Sequence, residues 1–370
     1  MLSPKLFLKR SVKSVAALAQ GFRKPLQNSV TILGYHRVVA DIQKAEKNSI
    51  YGLVVSSETF REHCRILKKN FDVVSLREAA EYLEDGIYSR RPKAVITFDD
   101  GYLDNYEVAF PILRKLDLPA TIFLPTTMIG KDEPLSHDKA FWLAKNALEK
   151  KIELKSIFLK ANLSKETAHN SANVSDVLEL TDKIVYLPVE QRDIIIDELE
   201  KILEITQYPA EYKLLNWEMV REMNKNGIYF GDHTATHPVL PLEDEKSFEI
   251  EIFESKKILE KELGNTAVSF AYPNGKYNEE IRKQIIKAGY RVAVTTDKHT
   301  NKFGEDLFAL GRTCLCEEST RGVGGRFSPK VAKLRFGIGS GVNAFTFFKQ
   351  YPIEKLWAFT SILSEINFLF

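Results

Sequence analysis

Three cysteines in 370 residues, Cys64, Cys314 and Cys316, are too few and too scattered for a disulfide framework. They fit a reducing compartment, or one where disulfides are not needed. The Cys314-x-Cys316 spacing is wrong for a Cys-x-x-Cys site. No apolar run approaches the length that spans a bilayer. Excess charge is missing too: 52 Lys and Arg stand against 50 Asp and Glu, read as interleaved along the chain, which gives no reason to invoke nucleic acid. There is no Gly-rich phosphate loop after the first candidate strand, which counts against a dinucleotide-binding domain. The N-terminus lacks an uninterrupted apolar stretch, because Lys13 breaks the segment between Lys9-Arg10 and Ser14–Ala19. No convincing signal peptide is read there, and a cytoplasmic or membrane-peripheral protein is expected. A basic amphipathic segment over residues 1–28 explains the pattern at least as well.

What is present is ordinary in bulk and specific in detail. A hydrophobic content of 44% with 28% charged residues suits a soluble globular protein able to bury a large core. Short β-rich runs alternate with helical patterns: Thr31–Tyr35, Phe71–Ser75, Ala94–Phe98, Ala120–Leu124, Ile228–Phe230, Val268–Tyr272 and Arg291–Thr295, with Leu307–Leu310 a weaker eighth. Repeated β/α units predict a mainly parallel α/β sheet closed into a distorted seven- or eight-unit barrel over residues 29–313. The rhythm lapses between about 131 and 215, which reads as a helical insertion, with helices over Asp138–Lys151 and Glu190–Ile205. It is expected on the rim where strand C-termini and their loops gather, either as a lid or as a packed decoration. Residues 314–370 read as a basic Gly-rich linker and an apolar tail dense in Phe, Trp, Ile and Leu. That tail is compatible with docking on the barrel, pairing with another subunit or resting on a membrane.

Two segments carry the chemistry. Thr97-Phe98-Asp99-Asp100-Gly101-Tyr102 and His233-Thr234-Ala235-Thr236-His237 each follow an apolar run. Alone, an Asp-Asp pair is usually a solvated turn, and two His four apart are usually surface or core residues. Together, at the ends of parallel strands, they supply three metal ligands and a spare carboxylate. Asp100, His233 and His237 are expected to hold one divalent ion, zinc first, with cobalt, nickel or iron as alternatives. Successive side chains at a strand end diverge, so Asp99 is left free to accept a proton from attacking water. That combination suits metal-assisted hydrolysis of an amide or ester.

These motifs, with Pro238 after His237, resemble the polysaccharide deacetylase family, the carbohydrate esterases of family 4 that share the NodB homology domain. The resemblance spans Ser29 to Thr313, less the insertion. It implies a hydrolase of carbon–nitrogen amide bonds that removes an N-acyl group, usually acetyl, from an amino sugar, in carbohydrate metabolism such as cell-surface glycan synthesis. It implies Asp99 as base, and Asp100, His233 and His237 as ligands. Phe270-Ala271-Tyr272-Pro273-Asn274-Gly275 partly matches a third family motif, whose Asn274 position would offer a backbone N–H to the oxyanion. The Arg that usually braces the base is replaced by Ala271, so another residue must orient Asp99 or the bracing is absent. The Leu-x-His segment that many members use for the acid reads Leu310-Gly311-Arg312-Thr313 here. Instead Tyr35-His36 resembles the subgroup that takes its acid from the first strand, which makes His36 the candidate. His63, His137, His169 and His299 are read as helix or loop surface.

The expected partner is an N-acetylated sugar, as a polysaccharide or a lipid-linked precursor, with peripheral membrane contact through the termini and no nucleic acid. The alternatives are a deformylase or amidase on a small or lipid-linked substrate, and a carbohydrate-binding pseudoenzyme.

Overall fold

The computed structural model describes residues 4–19 and 28–338. Residues 28–319 form one compact unit; the described parts of 1–27 and 320–370 form a second.

The larger unit is built on a curled sheet. Its strands are β1 (Ser29–Tyr35), β4 (Asp72–Val73), β5 (Lys93–Phe98), β6 (Ala120–Leu124), β7 (Ile228–Asp232), β8 (Ser269–Ala271), β9 (Val292–Val294), β10 (Asn301–Lys302) and β11 (Thr313–Cys314). A separate parallel pair is made by β2 (Arg37–Val39) and β3 (Val54–Ser56). The main path runs β10-β1-β5-β6-β7-β8-β9, and every pairing from β1 to β9 is parallel. Residues 310–314 join its two ends: Leu310 bridges Val294 of β9, and β11 pairs in parallel with Leu33 and Gly34 of β1. The closure is therefore a short, partial one. The weak eighth strand expected at Leu307–Leu310 does not form a full strand: beside this bridge, Leu307 O accepts from Ala293 N–H and Leu310 N–H donates to Ala293 O.

The strands read as near-continuous apolar runs because both faces are covered; all seven residues of β1 are buried. Flanking helices start and stop on local signals. Ser56 accepts from the Thr59 N–H at the head of Ser57–Asn70. Ser75 and Glu78 make a reciprocal capping box for Leu76–Asp85, which ends at left-handed Gly86. At Pro111 the chain runs from a wide turn of π-helix, Asn105–Ala109, into the α-helix Phe110–Leu116. That shift accommodates the proline's missing N–H.

The insertion between β6 and β7 holds five α-helices, Ser136–Glu149, Lys155–Lys160, Lys165–Ala172, Val177–Val185 and Val189–Leu203, and a sixth, Trp217–Lys225, leads from it into β7. The five enclose a core of their own, with Leu143, Ala144, Leu180, Ile184, Ile195 and Leu199 buried together. The segment returning from it is pinned to the Asp-Asp loop. Leu215 N–H donates to Gly101 O at 2.8 Å, and Leu103 N–H donates to Lys213 O at 2.8 Å.

In the second unit the helix Pro4–Ala19 packs with Pro329–Arg335, leaving Phe7, Leu8 and Val15 exposed. No described helix is long and apolar enough to cross a membrane. Charge is not interleaved evenly after all. Residues 1–27 and 320–370 hold 13 Lys and Arg but 2 Asp and Glu, leaving 39 and 48 for the larger unit. The apolar tail from Phe345 to Phe370 lies outside the described residues.

Candidate active site

Parallel registers bring the motifs to one rim. Tyr35 pairs with Phe98, so the residues after them, His36 and Asp99, leave adjacent strands side by side. Leu124 pairs with Asp232, and Asp232 with Phe270, which sets His233 between β6 and β8.

Asp100, His233 and His237 are all buried, and each offers a ligand atom within 4.8 Å of the other two. Asp100 Oδ1 stands 3.6 Å from His233 Nε2 and 3.4 Å from His237 Nε2. That oxygen is buried with no hydrogen-bond partner among the described residues. Burial raises the Asp100 pKa well above the carboxylate range, and repulsion from Asp99 and Asp138 adds to it. Burial lowers both imidazoles, so they stand neutral with lone pairs available. An orphaned carboxylate oxygen facing two neutral imidazoles is what a divalent ion would satisfy, and the donor set fits one. The tautomer of His233 is set as well, since Nδ1 donates to Ala271 O at 2.6 Å and leaves Nε2 as ligand. Ala271, standing where the family motif has Arg, thus serves through its carbonyl.

The backbone carries strain at these points. Asp100, Thr234 and His237 have φ of 74°, 70° and 65°. The His loop is held by two buried acids. Asp232 accepts from Thr234 N–H, Ser255 Oγ and Tyr290 Oη, and Glu251 accepts from the Ala235 and Thr236 N–H groups. Gly101, at φ 67°, has no room for a side chain, because a Cβ there would meet Leu124 Cδ2 at 2.6 Å.

Asp99 has its brace. Arg312 grips it with two parallel bonds, Nη1 to Oδ1 and Nη2 to Oδ2, both 2.7 Å. Arg312 is itself fully buried and donates through Nε to Thr295 O at 2.9 Å. Burial works to raise Asp99, but the Arg312 charge, His233 and the paired hydrogen bonds override it and hold the carboxyl well below its usual range. Arg312 arrives on the closing segment between β9 and β1, so the guanidinium that the third motif lacks comes from the chain that joins the sheet ends.

His36 Nε2 lies 3.9 Å from Asp99 Oδ2, with its side chain 19% exposed. Burial pushes its pKa down to about 4, against the upward pull of Asp99. Asn274 sits at the turn after β8 with φ 54°, its Nδ2 buried and without a hydrogen-bond partner among the described residues.

Two histidines read as surface are buried. His63 is fully buried and its Nδ1 lies 3.1 Å from Tyr35 Oη, a structural contact. His137 comes from the insertion and lies 3.7 Å from Asp100 Oδ2. Its helix buries two faces, His137, Asp138 and Phe141 on one and Ala140, Leu143, Ala144 and Ala147 on another, which blurs the amphipathic signal. His169 and His299 are exposed, as expected.

Residues 88–168 and 196–293 match the polysaccharide deacetylase family. A Bacillus subtilis protein, YxkH, whose name places it among the polysaccharide deacetylases, is 25% identical over 282 residues, covering 76% of this chain and 69% of that one. The poly-β-1,6-N-acetyl-D-glucosamine N-deacetylase of Staphylococcus epidermidis is 26% identical over 227 residues, 58% of this chain and 75% of its own. Among solved structures, the Streptococcus pyogenes deacetylase PplD superposes with a TM-score of 0.55 at 19% identity, covering 85% of this chain and 99% of that chain. With the motifs on one rim of a shared fold, the chain belongs to the polysaccharide deacetylase family.

Proposed function

We propose that the protein is a metal-dependent N-deacetylase acting on an N-acetylated amino sugar of a surface polysaccharide. The observation that carries the reading is the pairing of an ion-sized Asp100–His233–His237 cluster with a carboxylate, Asp99, clamped beside it. A divalent ion at this site would polarise the amide carbonyl and lower the pKa of bound water. Asp99, clamped beside the cluster, would be the carboxylate placed to take a proton from the attacking water. His36, whose Nε2 lies 3.9 Å from Asp99 Oδ2 on the same rim, is assigned to give a proton to the leaving amine. The Asn274 backbone N–H is assigned to the developing oxyanion. The S. epidermidis relative supports a glucosamine polymer as the substrate class.

His36→Gln is expected to keep the metal and the melting temperature and lose about 100-fold in kcat. Single-turnover kinetics check this, and near-normal turnover removes His36 from the mechanism. Arg312→Gln acts on Asp99. Loss of the clamp leaves a buried charge unpaired and costs about 3–5 kcal/mol of stability, measurable by denaturant unfolding. The pairing favours the ionised carboxylate, so its removal raises the Asp99 pKa, and the acid limb of the kcat/KM profile moves to higher pH. An unmoved limb would mean that Asp99 is not the base.

The terminal unit supports a second element of the reading: peripheral attachment to an anionic bilayer. Its strong excess of Lys and Arg lies in the same unit as exposed Phe7, Leu8 and Val15, the combination that interfacial helices use. The full-length protein should sediment with vesicles containing phosphatidylglycerol and not with neutral phosphatidylcholine vesicles, and salt should weaken the binding. Equal recovery in both supernatants contradicts it.

A further inference from the structure

The insertion enters the site through the first turn of its first helix, and nothing in the three-ligand picture accounts for what it brings. His137 and Asp138, both buried, flank Tyr102, which is fully buried two residues beyond Asp100. Tyr102 Oη donates to Asp138 Oδ2 at 2.8 Å and lies 2.8 Å from His137 Nε2. A phenol has one proton. With that proton given to Asp138, the contact with His137 must run the other way, so His137 carries its hydrogen on Nε2 and donates it to Tyr102. The same Nε2 faces Asp100 Oδ2 at 3.7 Å, the oxygen turned away from His233 and His237. Tyr102 is held in turn by Arg37, whose guanidinium carbon sits 5.1 Å from the centre of its ring and whose Nε donates to Asp104 at 2.8 Å.

His237 needs such support. His233 has the Ala271 carbonyl to fix its ring, whereas the His237 ring makes no hydrogen bond among the described residues. Its orientation rests on packing, edge to face, against His233 at 4.7 Å and 71°, and against His137 at 5.1 Å and 63°. One wall of that slot belongs to the metal cluster itself. The other belongs to the insertion.

We propose that His137, tied through Tyr102 to Asp138, is a positioning residue of the metal site: its ring sets the His237 imidazole, and its Nε2 edge stands against the far side of the Asp100 carboxylate. The insertion is on this account a structural part of the metal centre. The inference rests on the reading that Asp100, His233 and His237 hold the ion.

The test is zinc affinity, measured on the full chain by competition with a chromogenic chelator, together with the visible spectrum of the cobalt-loaded protein. His137→Ala and Tyr102→Phe should each weaken zinc about 10- to 100-fold, the range for residues that orient ligands. They should also shift the cobalt bands, which a change elsewhere in the fold would leave in place. Asp138→Asn, which can still accept from Tyr102, should lie nearer to wild type. Tyr102→Phe removes one oxygen and keeps the ring, so it decides the matter if His137→Ala does not fold. Both variants binding zinc within twofold of wild type with an unchanged cobalt spectrum would overturn the positioning role. His233→Ala separates the two levels. If it abolishes binding while the His137 and Tyr102 variants bind normally, only the positioning role falls. If wild type binds no zinc, or His233→Ala binds it as well as wild type, the three-ligand reading falls and takes the inference with it.

Discussion

Replacing both His233 and His237 by Ala should leave a folded protein that carries no divalent ion and releases no acetate. The expectation follows from where the cluster draws its ligands. Asp100 is a single carboxylate at a strained loop position, already disfavoured as an anion by burial and by Asp99 and Asp138. Without the two imidazoles it cannot hold a divalent cation alone. The loop that carries both His should survive, because Asp232 and Glu251 hold its backbone and neither depends on the imidazoles. Elemental analysis beside circular dichroism checks the result. Full metal occupancy in the double variant would mean that the ion, if any, sits elsewhere.

Asp99→Asn should behave in the opposite way, keeping the metal and losing about 10²- to 10⁴-fold in kcat. Asp99 lies outside the ligand cluster, so the ion has no reason to leave. The amide keeps the shape of the carboxyl and loses its capacity to take a proton. It also leaves Arg312 buried against a neutral partner, so some loss of stability is expected, and folding must be checked beside turnover. A variant that loses its metal and regains wild-type rates in excess zinc would make Asp99 a ligand instead of the base.

Much of this is legible in the sequence, for physical reasons. The strands stand out because parallel strands covered on both faces are apolar runs; Ala120–Leu124 falls where it was read, and β1, β5 and β7 extend past their predicted ends by one or two residues. Asp99, Asp100, His233 and His237 stood out because unusual residue types closed such runs. Arg312 did not. It meets Asp99 across 213 positions of sequence, on a segment that bridges rather than forms a full strand, and an Arg among apolar residues has no periodic signature. The one available sign is indirect, the Ala at position 271 where the family keeps its brace, which leaves either another residue to orient Asp99 or no brace at all. His137 was hidden for another reason. Its helix belongs to an insertion with a core of its own, and a helix buried on two faces shows no polar stripe from which an inward-facing His could be told apart.

The central claim is that one ion at Asp100, His233 and His237 makes this chain a deacetylase. Its most direct test is acetate release from poly-N-acetylglucosamine, measured on one preparation stripped with chelator and then titrated with zinc. Activity should be lost on stripping and should return in proportion to bound zinc, reaching its plateau at one ion per chain. Acetate release that persists in the metal-free protein, or a zinc-loaded protein inert toward every N-acetylated glycan while folded, would contradict the account.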